Sequence, residues 1–241
     1  MRKASCNRIC SRIIMISKKF ANLNLFCLLT KYKCYTQLVL QKRQYRGKIN
    51  MANITIFGKG NMGSAIGGNF ETAGNVVSYI GSGESSDQLG DIVVLAVPYS
   101  SLSSIVEENS EKLAGKVVID ITNPLDFATF DSLVVPSDSS AAAEVQKALP
   151  NSKVLKAFNT TFAATLTSKT IGDSHQTTVL VAGDHTDAKN QVFYALDGSG
   201  LATLDAGSLK RARELEALGF LQLTLAGSEK ISWNGGFGLF N

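Results

Sequence analysis

Ten residues constrain this chain more than any others: Ile54-Thr55-Ile56-Phe57-Gly58-Lys59-Gly60-Asn61-Met62-Gly63. A short apolar run breaks into glycine, and helical spacing follows at once, with Met62, Ala65, Ile66, Asn69, Phe70 and Ala73 recurring on one face. Gly74 then stands where a helix C-terminus favours a left-handed residue. Strand, tight turn and helix in that order open a βαβ unit.

The alternation continues. Strands are expected at Ile54–Phe57, Val76–Ile80, Ile92–Val97, Val117–Ile121, Val154–Phe158, Thr178–Ala182 and Thr203–Leu204. Most are rich in Val and Ile and apolar on both faces, as strands covered by helices on two sides must be. Helices are expected over Ser139–Leu149, ending at Pro150, over Thr186–Leu196, and from Leu209 onward with Ser208 as N-cap. The fold class is therefore α/β: a Rossmann-type, doubly wound, mostly parallel sheet in a single domain spanning residues 51–241.

Within the opening unit Gly58, Gly60 and Gly63 form G-x-G-x-x-G. The first glycine permits the sharp turn, the second lets the backbone approach a pyrophosphate, and the third lets helix and strand pack closely. The phosphates would then rest on the free N–H groups of Asn61, Met62 and Gly63 at the positive end of the helix. A structural alternative is a glycine turn that serves packing alone.

The second strand ends Tyr79-Ile80-Gly81-Ser82. An NAD site usually places Asp or Glu at this tip, on the ribose 2′-hydroxyl. The tip itself has none, which favours NADP(H), with Ser82, Ser85 and Ser86 as candidate ligands of a 2′-phosphate. No Arg or Lys follows Ser82, however, and Glu84 is close by.

Ligands of such sheets bind beyond the carboxyl ends of the strands. Three more strand ends carry candidate residues. Val97, Pro98 and Tyr99 follow the third strand, with Tyr99 placed either to cover a cofactor or to lie as a half-buried surface aromatic. Asn123 follows the fourth, within Thr122-Asn123-Pro124, where its amide either orients a nicotinamide or makes an Asn-Pro turn. Phe158-Asn159-Thr160-Thr161-Phe162-Ala163 follows the fifth, an unusual mixture of amide, hydroxyls and aromatics. Asn159 and Thr161 are the candidates nearest to any chemistry. No acid–base pair stands out, and Lys156, inside a strand, reads as structural. Hydride exchange between two cofactors needs alignment more than a protein acid, whereas oxidising an alcohol needs a Lys, His or Tyr to move the hydroxyl proton.

Charge divides the chain. The first fifty residues hold twelve Lys and Arg and no Asp or Glu, so they carry +12; the rest carries −8, for a net +4. The acidic body offers no basic stripe, which argues against nucleic acid. All four cysteines, Cys6, Cys10, Cys27 and Cys34, also lie in the first fifty residues. The body therefore needs no disulfide, Cys metal site or Cys nucleophile, and His175 and His185 fall in polar stretches unsuited to a metal site. The apolar run Leu23–Thr30 is too short for a membrane span, which takes about 20 residues. The basic extension reads either as a transit-like segment or as translated upstream sequence, with Met51 as initiator and the cytoplasm as default location. The second is the preferred expectation: the composition is what AT-rich DNA encodes in any frame, and codons for Arg46-Gly47-Lys48 can form a purine run at ribosome-binding distance from Met51.

These motifs together resemble the NADP oxidoreductases of the coenzyme F-420 (deazaflavin)-dependent type, and the related cytosolic reductase domain of six-transmembrane metalloreductases. The resemblance runs through the phosphate loop, Asp91–Pro98, Asp120–Pro124, Ser140–Glu144, Lys156–Thr160, Val181–Asp184 and Leu204–Gly207. It implies a one-domain fold, a homodimer, bound NADP(H), and a small-molecule electron acceptor with a flavin or deazaflavin ring. By motif, Gly60–Met62 would cradle phosphate, Ser82 would meet the 2′-phosphate, and Val97 and Pro98 would line the cofactor. Asn159, Thr161 and Ala163 would lie by the nicotinamide and the deazaflavin. The chain departs from the family in having Gly83 where a basic residue commonly follows Ser82, and in a very short connector before Asp91.

Two other readings remain open. One is a non-catalytic NADP(H)-binding redox sensor. The other, suggested by the Gly-Asn-Met-Gly core, is an imine reductase like pyrroline-5-carboxylate reductase, although that family carries a further helical dimerisation domain. The apolar residues Ile231, Trp233, Phe237, Leu239 and Phe240 fit either dimer contacts or a tail packed on the protein's own core.

Overall fold

The computed structural model describes residues 51–172 and 174–240. The expectations for the basic extension of residues 1–50, including those for its four cysteines, lie outside the described residues.

Strand β1 (Asn53–Phe57) lies second from one edge of a seven-stranded sheet. Helix α1 (Asn61–Thr72) crosses to β2 (Val76–Ile80), an edge strand with alternating exposure. A helix-free connector then returns to β3 (Ile92–Leu95) on the other side of β1. Helix α2 (Leu102–Leu113), entered through a 3-10 turn at Tyr99–Ser101, leads to β4 (Val117–Asp120); α3 (Ala141–Ala148) leads to β5 (Lys153–Ala157). These five strands are mutually parallel.

After β5 come helix α4 (Ala163–Ser168) and a small hairpin, β6 (Thr170–Ile171) with β7 (His175–Gln176). Strand β8 (Thr178–Ala182) then pairs antiparallel to β5. Helix α5 (Thr186–Leu196) crosses to β9 (Ala202–Gly207), parallel to β8 at the far edge. A 3-10 turn at Leu209–Arg211 opens the last helix, α6 (Ala212–Gly227). The sheet order is β2-β1-β3-β4-β5-β8-β9.

The strand residues sort by parity onto two faces, as the period of two requires. Ile54, Ile56, Ile92, Val94, Ile119 and Leu155 pack against Ile66 and Phe70 of α1, Leu166 of α4 and Val192 of α5. Val93, Leu95, Val118 and Val154 pack the other way, against Leu102, Val106 and Leu113 of α2 and Val145 of α3. The result is a three-layer sandwich with the order reversing between β1 and β3. At such a switch point the two loops diverge and leave a crevice at the carboxyl ends of the strands.

Several expected boundaries shift. Strand β3 stops at Leu95 rather than Val97: Ala96 N–H makes the last ladder bond, to Phe57 O at 2.8 Å, because β1 turns away at Gly58. Strand β9 extends on both sides of Thr203–Leu204. Ser208 precedes a 3-10 turn, without a side-chain cap bond. Gly74 does take the left-handed conformation at the end of α1, with φ +93°.

Candidate functional site

The crevice floor begins at the β1–α1 turn. Gly58 sits at φ +110°, and a side chain there would strike the Ala96 carbonyl of the neighbouring strand end. A Cβ on Gly63 would strike the Gly58 carbonyl. Both glycines are thus required by the protein's own packing. Gly60 is not: it is the N-cap of α1 in an extended conformation, and a Cβ there would meet nothing within 4 Å. No side chain caps α1 and its first turn holds no acidic residue, so the N–H groups of Asn61, Met62 and Gly63 lack intrahelical acceptors. The cradle is lined by positive dipole ends over open space that a Gly60 side chain would fill. A pyrophosphate fits these groups.

At the tip of β2 the arrangement differs from the sequence expectation of a carboxylate-free end. Glu84 folds back over the turn. Its Oε2 accepts the Gly81 N–H at 2.8 Å and lies 2.6 Å from Lys59 Nζ, while Oε1 accepts from the same ammonium at 2.7 Å. Lys59 comes from the phosphate loop and supplies the cation missing after Ser82. The Lys59 hydrogen bond, followed by the Gly81 N–H, holds the Glu84 carboxyl below its ordinary range. Ser82 lies exposed on the same turn. Ser86 is committed locally, its hydroxyl donating to Gln88 O at 2.7 Å.

The middle of the crevice is formed by the ends of β3 and β4. Pro98 starts the turn that carries Tyr99, whose ring packs partly buried on the second core face. Burial, then the carboxylates of Glu144, Glu216 and Asp120, raise the Tyr99 phenol above its usual range. Tyr99 is therefore a neutral hydroxyl-bearing ring held against its own protein.

At the far end two strand tips are tied together. Asn123 Nδ2 donates to Asn159 O at 3.0 Å, and Asn159 Nδ2 donates to Asn123 Oδ1 at 2.9 Å and to Leu215 O at 2.8 Å. Helix α6 passes directly behind, and it approaches this closely because residue 219 is glycine: a Cβ there would overlap both Asn123 Oδ1 and Asn159 O. The Asn159 Oδ1 atom is buried without a hydrogen-bond partner in the structure. Thr161 donates its hydroxyl to Phe158 O at 2.7 Å, closing the loop on itself. Phe158 turns the chain with φ +64° and its ring meets Phe70 of α1 edge-on at 6.1 Å. Ala163 begins α4 just beyond. Asn123, Asn159 and Thr161 are thus brought together, with their donors spent on holding the loops.

Beneath these tips lies an ionic cluster that sequence reasoning noted only in part. Lys156 is fully buried, and its ammonium contacts Asp120 Oδ2 at 2.8 Å, Glu216 Oε1 at 2.7 Å and the Thr122 carbonyl. Its three protons have three acceptors. Glu216 Oε2 in turn accepts the Ala141 N–H at 3.0 Å at the start of α3. Burial pushes the Glu216 carboxyl up, against the pull of Lys156. Glu216 carried no sequence signal beyond being a carboxylate on an apolar helix face. Lys156 has the structural role expected of it.

Among the described residues no group of three or more His, Cys, Asp or Glu is arranged to hold a metal ion, and no helix is long and apolar enough to cross a membrane. The C-terminal segment packs back on the domain, with Trp233 against Phe162 at 4.9 Å and Phe240 against His175 at 4.7 Å. Trp233 and Phe240 remain more than half exposed.

Comparisons with known proteins agree with this architecture. The profile of the family described as NADP oxidoreductase, coenzyme F420-dependent, matches residues 80–124. The F420-dependent NADP reductase of Methanocaldococcus jannaschii is 35% identical over 133 residues, which cover 54% of this chain and 59% of that one. The metalloreductase STEAP3 of Rattus norvegicus is 33% identical over 156 residues, 65% of this chain and 29% of that one. The match thus spans less than two thirds of either relative. A solved structure from Arthrobacter sp., described as an F420-dependent NADP-reductase, superposes with a TM-score of 0.67 at 24% identity, covering 79% of this chain and all of that one; at that identity it speaks for the fold. In its matched segments, sheet order and glycine turn, the chain is similar to the NADP oxidoreductases of the coenzyme F420-dependent type.

Proposed function

We propose that the domain from residue 51 onward is an NADP(H)-dependent oxidoreductase that exchanges a hydride with a flavin-like or deazaflavin acceptor. The observation that carries this reading is the Gly60 cradle: uncapped helix N–H groups over open space, at the switch point of a sheet whose relatives are named for NADP. Gly58 and Gly63 shape the turn, Gly60, Asn61 and Met62 present backbone N–H groups to the pyrophosphate, and Ser82 stands at the 2′-position. Val97, Pro98 and Tyr99 line the middle of the cofactor path. Asn123, Asn159, Thr161 and Ala163 form the nicotinamide end.

When bound, NADPH supplies the hydride, and the reduced acceptor takes its proton from water. The protein's part is alignment. The Asn123–Asn159 bridge fixes the spacing of two strand tips, so that rings placed against them meet at a set distance. Lys156 is excluded as a proton donor, because its protons are committed to Asp120, Glu216 and a carbonyl. That removes the buried strand lysine from the role an alcohol dehydrogenase gives such a residue, and it favours cofactor-to-cofactor exchange. A homodimer in the cytoplasm is part of this reading, with the exposed Trp233 and Phe240 as candidate contacts.

The test is loss of reduced-nicotinamide absorbance when the full chain is mixed with NADPH and offered deazaflavin, FMN, FAD or ferric chelate in turn. Turnover with one acceptor establishes the enzyme and its partner. Tight NADPH binding with no oxidation by any acceptor supports the second reading, a redox sensor, which the commitment of Asn159 and Thr161 donors to structural bonds also favours.

A further inference from the structure

The tip of β2 carries an anion site that the chain itself fills. Gly81 N–H and the Lys59 ammonium both point at one carboxylate, that of Glu84. A backbone N–H at the end of the second strand and a cation from the first turn are the donors a phosphate monoester would use. In this fold the adenosine ribose 2′-position lies at that strand end. Glu84 reaches it from three residues away, through Gly83 at φ +75°. Both Glu84 and Lys59 are about half exposed, with side-chain accessibilities of 51% and 50%, and neither is wedged by packing. Lys112 secures the far side of the same connector, donating to Ser86 O at 2.8 Å, so Glu84 can swing while the turn stays in place.

We infer that Glu84 is a resident competitor for the 2′-phosphate and thereby sets the preference between NADP(H) and NAD(H). The inference rests on the dinucleotide-binding reading above. With Glu84 folded in, the tip presents a carboxylate, which accepts from a 2′-hydroxyl and repels a 2′-phosphate. With Glu84 swung out, Lys59 and Gly81 N–H form a phosphate site. Each cofactor thus reads a different position of one side chain. The depressed Glu84 carboxyl agrees with a firmly held anion at this spot.

The test is calorimetric titration of NADPH and NADH into the full chain and the variants Glu84→Ala, Lys59→Ala and the double variant. Glu84→Ala is expected to tighten NADPH about tenfold, the size of one charge-assisted contact, and to leave NADH unchanged or weaker. Lys59→Ala is expected to weaken NADPH by a similar factor. The double variant should gain less over Lys59→Ala than Glu84→Ala gains over wild type, because the competitor acts in part through the lysine. Equal tightening of both nucleotides would make Glu84 a mere general charge and overturn the inference. So would wild-type NADPH binding with a cofactor ratio unmoved in Glu84→Ala; that outcome leaves the dinucleotide-binding reading standing. Failure of every form to bind either nucleotide removes both.

Discussion

Gly58 and Gly60 stand two residues apart and answer to different demands. Gly58 holds a left-handed angle against the Ala96 carbonyl, so Gly58→Ala is expected to cost stability, by about 2 kcal/mol or more. Gly60 has an ordinary angle and open space beside it. Gly60→Val should fold with a melting temperature within about 2 °C of wild type, yet lose most NADPH binding because its methyl groups occupy the cradle. Thermal melts and titration calorimetry on the two variants separate these roles; a Gly60→Val protein that binds normally would remove the cradle from the site. Lys156 makes the opposite point. It touches no space where a ligand would sit, yet Lys156→Met leaves Asp120 and Glu216 buried without their cation, a loss of about 3–5 kcal/mol in urea unfolding.

Among the elements, helix α6 does the most positioning. It backs the Asn123–Asn159 bridge through Gly219 and caps α3 through Glu216. Gly219→Val should push it off the strand tips, lowering stability by about 1–3 kcal/mol and raising the KM for the electron acceptor more than that for NADPH, which steady-state kinetics would resolve. How far the elements are legible in the sequence follows from what each depends on. Strand β2, β8 and helix α5 have the bounds their apolar patterns give, because local periodicity decides them. Helix α2 is faint: a Ser- and Glu-rich stretch with only Leu102, Val106 and Leu113 fully buried. The reversal of β8 against β5 has no local signature, since an apolar run reads alike in either direction. At the site, glycine spacing exposes the phosphate loop to sequence reading. The sequence shows Glu84 only as a neighbour of Ser82; its bonds to Gly81 and Lys59 escape sequence reading, because they depend on the turn at Gly83. The Glu216 contact, spanning sixty residues from Lys156, is likewise a product of tertiary folding alone.

Across the whole molecule, acid should act through the surface carboxylates. Lys153 holds Asp187, Lys189 holds Asp205, and Lys147 with Ser139 holds Glu144, each below its ordinary value of 3.8 or 4.5. A depressed carboxyl adds stability above the unfolded pKa and loses it as pH falls through the folded one. Glu216 is raised and has the opposite sign: its ionisation costs stability as pH rises through its folded value. The depressed group is the more numerous, so melting temperature should be level near neutrality and fall below about pH 4.5. Addition of about 1 M salt should flatten that fall, because exposed pairs are screened. A melting temperature that rises on acidification would show that Glu216 dominates.

The buried lysine also bears on how the chain comes off the ribosome. Strands β1 to β5 are consecutive and parallel, and they emerge as one block, with Lys156 beside Asp120. Glu216 follows about sixty residues later, on the last helix. Until it arrives, the nascent sheet holds an ammonium short of one acceptor and a helix α3 start short of its cap. The ionic cluster is therefore complete only when helix α6 docks, and products truncated before residue 216 should remain open to proteases.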